Sequence, residues 1–249
     1  MNNTIFRSMQ ILEYISEKKE GVTLQDIVNE FGYPKSSVFV IVQSLHELNY
    51  VRTMPYNEKK YCLGVKAFSL GMKYYNGLDV VDQCLAGLKP IADKYDKTAF
   101  VSILDGTDLV FMGKYVAPKA VLATCALGAR KDVYATASGK AILAFLPEKE
   151  RQVILDKIEF KHLTEHTIND KEKLIKELDI TRQRGYAIEM QEDRSISSCC
   201  GVPVFDYTGK VVVALSLSDV YNEKMDNEAM ANELQLIANN VSKSLGYRG

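Results

Sequence analysis

Two groups of residues in this 249-residue chain have types and spacings that can do chemistry. In the second half, Ser216 and Ser218 stand two apart at the end of an apolar run that starts at Val211. On a strand, that spacing turns both hydroxyls to one face and Leu215 and Leu217 to the other. Cys199 opens another strand-like run in which Cys199, Gly201 and Pro203 share a face, and Glu189 ends the run before it. Ala137-Ser138-Gly139-Lys140 lies at a helix start, where free backbone N–H groups and the positive dipole end suit a carboxylate. This is not a phosphate loop, because the flanking glycines of that motif are missing. Hydroxyl donors, a thiol, a carboxylate and a positive helix end together describe a pocket for a small polar acid or its hydroxy relative. Plainer alternatives stay open: Cys199 as a packing residue, Ser138 as an N-cap, Glu189 as an exposed strand end.

The second group lies near the N-terminus. Lys35, Ser36, Phe39, Val40 and Gln43 fall on one side of a helical pattern whose other side is Val38, Ile41, Val42, Leu45 and Leu48. Lys35 can meet phosphate or guanine, Ser36 and Ser37 can bond phosphate, Gln43 can read adenine, and Phe39 can pack on a thymine methyl. Arg52, Lys59 and Lys60 would grip the DNA backbone from a ribbon that follows. The alternative is a three-helix cap used only for protein contacts. Phe39 and Val40 keep that alternative open, since two outward apolar residues reduce hydrogen-bond readout and a neighbour could bury them.

The elements that must position these residues are legible in outline. Ile5, Met9, Leu12 and Ile15 repeat at helical spacing, and Gly21 stops that helix. Thr23 with Asp26 three residues on approximates a capping box for a second helix. Gly32-Tyr33 is a tight turn, and Pro34 suits the first turn of a third helix. The turn 55–60 between two short runs predicts a two-stranded ribbon. Two short helices joined by a Gly turn and followed by such a ribbon make a winged helix-turn-helix. Residues 63 to 77 read as a linker helix with Ala67, Leu70, Gly71 and Tyr74 on one face. Beyond it come a helix over 80–95, strands near 99–104 and 109–115, a helix over 139–146 ended by Pro147, and charged helices from about 148 and 171. Strands near 186–189, 199–205 and 210–218 follow, the last two joined by Asp206-Tyr207-Thr208-Gly209. A C-terminal helix carries Leu234, Ile237, Ala238, Val241 and Leu245. Helices mixed with antiparallel strands indicate an α+β body.

Composition excludes several classes. The hydrophobic fraction is 47%, the charged fraction 25% and the formal net charge −1, which rules out a uniformly basic nucleic-acid coat. Up to Asn76 there are nine Lys/Arg against seven Asp/Glu, and beyond it 22 against 25, so a mildly basic head precedes an acidic body. No apolar run is long enough to span a membrane. The N-terminus lacks a basic start followed by an apolar signal core. Five cysteines without a C-x-x-C pair predict free thiols in a reducing cytoplasm and no zinc ribbon. No metal and no cofactor is expected.

Taken in order, these fragments resemble the IclR family of bacterial transcription regulators over nearly the whole chain. The resemblance is carried in the head by Gly21-Val22-Thr23-Leu24, by Gly32-Tyr33-Pro34-Lys35-Ser36-Ser37-Val38, by Leu45-His46-Glu47-Leu48-Asn49-Tyr50-Val51 and by Tyr61-Cys62-Leu63-Gly64. In the body it is carried by the stretch from Ala137 to Ala144, by Gly185-Tyr186-Ala187, Glu192 and Cys199, and by Pro203-Val204-Phe205-Asp206 and the stretch from Ala214 to Ser218. It implies a winged helix-turn-helix over 1–64, a linker helix over 65–78 and a GAF-like effector-binding domain over 79–249, with a central antiparallel sheet flanked by helices. It implies a homodimer through the DNA-binding end, often a dimer of dimers, on inverted half-sites of a double-stranded operator. It also implies a small-molecule effector, commonly an organic acid or an aromatic or sugar-derived compound, and frequently repression released by that effector. Known members bind the ligand where Ala137, Ser138, Glu189, Cys199, Ser216 and Ser218 fall here. The chain departs from the pattern at Glu189, where members often have Asp, at Ile196, where a Gly is usual, and at Phe39-Val40, where polar residues are usual.

Two other classes compete. An enzyme could use Cys199 as nucleophile, with His162 and His166 the nearest candidate bases; nucleophilic catalysis needs such a base within reach. A thiol redox sensor could use Cys199-Cys200, although neighbours on a strand point to opposite faces.

Overall fold

The computed structural model describes residues 3–75, 79–121, 125–222 and 227–249. The chain divides into two compact units, Met1–Leu78 and Asp79–Gly249.

In the first unit, α1 (Asn3–Glu17), α2 (Leu24–Phe31) and α3 (Lys35–Glu47) close around Ile11, Ile15, Ile27, Val38, Ile41 and Val42. The three- and four-residue spacings of these side chains place them on one face of each helix. The expected capping box is present: Asp26 N–H donates to Thr23 Oγ1 at 3.1 Å, and Thr23 N–H donates back to Asp26 Oδ2 at 2.8 Å. Such a cap contributes about 1 kcal/mol. Gly32 ends α2 at φ +65°, its N–H on the Val28 carbonyl at 2.9 Å.

The sequence reading needs four corrections here. Pro34 precedes α3 in an extended conformation (φ −55°, ψ 131°) instead of forming its first turn. Leu48 lies past the end of α3 and is exposed, because the chain turns away through Asn49 at φ +63°. The ribbon is β2 (Val51–Met54) and β3 (Asn57–Leu63), closed by the two residues Pro55-Tyr56. The polar run Asn57–Lys60, read as turn, is strand, because backbone partners decide pairing and not side-chain polarity. A further short strand, β1 (Val22–Thr23), pairs antiparallel with β3, Val22 opposite Tyr61, in the order β1-β3-β2. The linker helix is α4 (Val65–Tyr75); positions 76–78 of the expected helix and the side chain of Tyr74 lie outside the described residues. Over 65–73, α4 buries no side chain, and Val65, Phe68 and Leu70 stand exposed.

The second unit is an antiparallel six-stranded sheet in the order β6-β5-β4-β9-β8-β7, with helices on both faces. In chain order it comprises α5 (Asp79–Tyr95), β4 (Thr98–Asp105), β5 (Asp108–Val116), β6 (Arg130–Asp132), a 3-10 turn (Val133–Ala135) and α6 (Ala137–Phe145). Then follow α7 (Glu148–Leu155), α8 (Lys171–Arg184), β7 (Ala187–Met190), β8 (Ser197–Phe205), β9 (Val211–Val220) and α9 (Asn227–Ser244). Neither β6 nor the 3-10 turn was foreseen, α6 begins two residues before Gly139, and Leu245 falls past α9. Leu215 and Leu217 are fully buried on the face covered by α5 and α9, as alternation along β9 predicts. The opposite face meets α6 and a core that includes Phe100, Phe111, Tyr134, Leu143, Leu174 and Leu178. Among the described residues, no helix is long and apolar enough to cross a membrane, and no cluster of three or more His, Cys, Asp or Glu is arranged to hold a metal ion.

Candidate functional site

The pocket follows from register. Glu189 on β7 lies opposite Cys199 on β8, Cys199 opposite Ser218 on β9, and Ser218 opposite Thr98 on β4. Opposed residues of an antiparallel ladder share a face, so these four form one row across the sheet. The next row is Ala187, Gly201, Ser216 and Phe100. Over these rows sits the start of α6. Two glycines permit close backbone approach, Gly201 between β8 and α6 and Gly139 between α6 and the 3-10 turn before it. A Cβ on Gly201 would lie 2.8 Å from the Ala137 carbonyl carbon and the Ser138 nitrogen, and one on Gly139 would lie 1.9 Å from the Val133 oxygen.

All six residues read from the sequence for this pocket, Ala137, Ser138, Glu189, Cys199, Ser216 and Ser218, line one cavity. Its empty space, counting the part that opens to solvent, is about 450 Å³. A cavity of this kind suits a small organic ligand. Phe100, Leu109 and Phe111 supply an apolar wall. Asp193 and Arg194, which sequence reasoning missed, supply a polar one. They belong to the loop between β7 and β8, which Lys131 holds through both Asp193 carboxylate oxygens at 2.9 Å. Ion pairing between distant segments leaves no local signal in the sequence.

Each polar group has a distinct state. Thr136 caps α6 by accepting the Gly139 N–H at 3.2 Å, so Ser138 is not the cap. The Ser138 hydroxyl is buried at the cavity and has no hydrogen-bond partner among the described residues. The N–H groups of Ala137 and Ser138, in the first turn of α6, have no intrahelical partner. A buried hydroxyl costs free energy until something bonds to it.

Glu189 is 1% exposed, so it is no exposed strand end. Burial pushes its carboxyl up to about 7, against the pull of N–H donors from the loop. Its Oε1 accepts the Glu192 N–H at 2.7 Å, and Ser197 Oγ lies 3.2 Å from the same oxygen. Glu192 in turn takes the buried ammonium of Lys140 at 2.5 Å, while its other oxygen, Oε2, finds no partner among the described residues. The Cys199 thiol donates to Ser218 Oγ at 3.2 Å. Burial first, and then Glu189 beside it, raise that thiol well above the usual range.

Cys199 is therefore a neutral thiol at physiological pH and a poor nucleophile. His162 and His166 are both exposed, and neither lines the cavity. Cys200 takes the opposite face, its thiol pushed up to about 12 by burial, and all five cysteines are free.

In the first unit, α3 begins without a side-chain cap. Lys35, Ser36, Phe39 and Val40 are exposed, whereas Ser37 and Gln43 are half-buried. On the ribbon, Arg52 and Lys59 are exposed. Lys60 is half-buried and donates to the Glu20 carbonyl at 3.3 Å, so it is committed within the unit. Tyr56 at the ribbon tip is 99% exposed; the sequence reading passed over it as part of the turn.

A winged helix-turn-helix in one unit and a sheet-and-helix pocket in the other define the class of ligand-responsive DNA-binding regulators. The IclR helix-turn-helix domain matches residues 4–55, and the C-terminal domain of bacterial IclR transcriptional regulators matches residues 72–243. The chain belongs to the IclR family, whose members are transcription regulators and not enzymes. It is 30% identical over 247 residues to the regulator XynR of Escherichia coli K12, covering 98% of this chain and 97% of that one. It is also similar to the IclR crystal structure from Thermotoga maritima, with a TM-score of 0.79, 30% identity and coverage of 99% and 100%. An IclR homologue from Microbacterium hydrocarbonoxydans complexed with 4-hydroxybenzoate shares the fold, with a TM-score of 0.84, 19% identity and coverage of 98% and 99%.

Proposed function

We propose that this chain is a cytoplasmic repressor that a small organic acid releases from its operator. The observation that carries the reading is the unpartnered Ser138 hydroxyl at the start of α6, facing the row Glu189–Cys199–Ser218. An acid's carboxylate would accept from the Ser138 hydroxyl and the N–H groups of the first turn of α6, where the helix dipole favours an anion. Ser216, Ser218 and the Cys199 thiol would meet its carbonyl or hydroxyl end. The carboxylate that 4-hydroxybenzoate carries in a relative's complex supports the same class of ligand.

Residues 1–64 act as the DNA-binding domain, 65–78 as the linker helix and 79–249 as the effector domain. Lys35, Ser36, Ser37, Phe39, Val40 and Gln43 face the major groove, with Arg52 and Lys59 on the phosphates. Lys60 contributes to the local positive charge. The exposed apolar side chains of α4, Val65, Phe68 and Leu70, support a homodimer through the DNA-binding end, free to pair again as a dimer of dimers. A dimer would bind inverted half-sites about one helical turn, or a multiple of it, apart. The effector works by binding the off-DNA arrangement better than the on-DNA one. Repression with release is the direction that the family's habit favours.

A footprint on the DNA upstream of the chain's own gene, at physiological salt with excess competitor, tests this. Protection of paired inverted half-sites, lost on adding one of a panel of small carboxylates, is expected. Protection that no acid alters, and that Ser138→Ala leaves unaltered, would remove the acid from the reading.

A further inference from the structure

The outward surface of α3 is unusual for a reading helix in what it withholds. Phe39 is 48% exposed and Val40 62% exposed, side by side at its centre. Among the described residues, both keep about half or more of their surface open. The hydroxyl of Ser44, one turn on from Val40, is spent on its own helix and donates to the Val40 carbonyl at 2.9 Å. The exposed polar groups nearest the pair are Lys35 and Ser36 at the first turn, with the half-buried Gln43 following Phe39 and Val40. Phe39 and Val40 themselves offer a base no donor or acceptor. They can tell bases apart by the single apolar group the major groove displays, the C5-methyl of thymine.

We infer that Phe39 and Val40 are specificity-determining residues of the reading helix and that each takes the methyl of a thymine, so every half-site carries thymines at its centre. The inference rests on the DNA-reading function proposed above. The occupant is duplex DNA and not a protein face, because the charge on the helix that carries the pair is the sign that phosphate requires. Lys35 opens α3, its first turn has no acidic residue, and no acidic side chain occurs on α3 before Glu47. Exposed Arg52 and Lys59 lie on the ribbon of the same unit. A hydrophobic protein partner would gain nothing from an uncapped helix start that carries Lys35. A duplex meets both: its phosphates take the cations and the N–H groups, and its methyls take the apolar pair.

Thymine and uracil differ only by that methyl, which makes the test direct. The full-length protein selects from a random duplex library, and the best duplex is remade with deoxyuridine at each thymine in turn. Loss of one buried methyl is expected to weaken binding about fourfold at one or two positions per half-site. Phe39→Ala should abolish discrimination at one such position and Val40→Ala at the other. Lys35→Ala should weaken thymine and uracil duplexes alike. Because Phe39 and Val40 are exposed, the variants fold as the parent does. Uracil tolerated at every position by the parent, or discrimination that survives both alanine variants, overturns the inference while leaving DNA binding intact. Selection of no sequence at all overturns the DNA reading itself, and the apolar pair then belongs to a protein contact.

Discussion

The reading surface and the pocket are built on opposite terms. On α3 the side chains that face outward have almost no partners inside the protein, and their geometry is supplied by the buried residues behind them, Val38, Ile41 and Val42. In the pocket most polar side chains are buried or half-buried, and several are already bonded: Glu189 to the loop backbone and Ser197, Cys199 to Ser218, with Lys140 bonded to Glu192 beyond the lining. The Ser138 hydroxyl, by contrast, is buried with no partner among the described residues. A surface that meets DNA can leave its donors solvated until contact. A pocket for a small molecule must satisfy its own walls and leave open only what the ligand will fill. Mutations should therefore separate stability from binding on α3 and entangle them in the pocket.

The largest test of that contrast is Lys140→Ala. It leaves the buried Glu192 without its cation, and breaking such a pair costs about 3–5 kcal/mol. Thermal unfolding of the effector domain should shift down accordingly. A shift no larger than that of a surface lysine would mean the pair is not a structural tie.

Next comes the pH dependence of stability through Glu189. Its folded-state value of about 7 lies above the ordinary 4.5, so the native state holds a proton that the unfolded state has lost between those values. Stability from this group is fully present below about pH 4.5 and falls as pH rises through 7, by an amount on the order of 3 kcal/mol. The difference between the parent and Glu189→Gln, followed by urea unfolding at pH 5 and pH 8, isolates it. The parent should lose stability relative to the variant as pH rises; a pH-independent difference would contradict the assignment.

Gly201→Ala should follow, at about 1–3 kcal/mol, since its new methyl meets the backbone of α6 and not a yielding side chain. Ligand binding, read by calorimetry with an acid that the footprint identifies, should fall together with the melting temperature. The smallest effect on stability belongs to Lys35→Ala. Unfolding should change by no more than about 0.5 kcal/mol, while DNA affinity falls and the slope of log affinity against log salt drops by about one. A stability loss as large as that of Gly201→Ala would erase the contrast between the two regions.

What the sequence made legible follows the range of the interactions involved. The Thr23–Asp26 box, the Gly32 stop and the alternation of Leu215, Ser216, Leu217 and Ser218 are local, so spacing alone exposed them. The pocket residues could be gathered because strand alternation and a helix start are also local patterns. Missed were features that depend on distant partners. Strand β1 exists because Tyr61 lies opposite Val22. Strand β6 exists because Arg130, Lys131 and Asp132 find Val110, Leu109 and Asp108 on β5. Asp193 and Arg194 reach the cavity because Lys131 anchors their loop. Lys140 read as part of an anion-attracting helix start, yet its charge is consumed by Glu192, fifty-two positions along the chain. The polar run Asn57–Lys60 misled for the converse reason: local composition suggested a turn that backbone pairing overruled.

The backbone-to-backbone contact between β8 and α6 that Gly201 allows makes the two sides of the pocket unequally evolvable. Where α6 meets β8 there is no side chain to trim, so any enlargement there must displace a whole helix. Across from it, Phe100, Leu109 and Phe111 are removable bulk, and shortening one widens the chamber without disturbing the start of α6. A descendant adapting to a larger acid, or a biosensor engineered from this chain, has its accessible route through that aromatic wall.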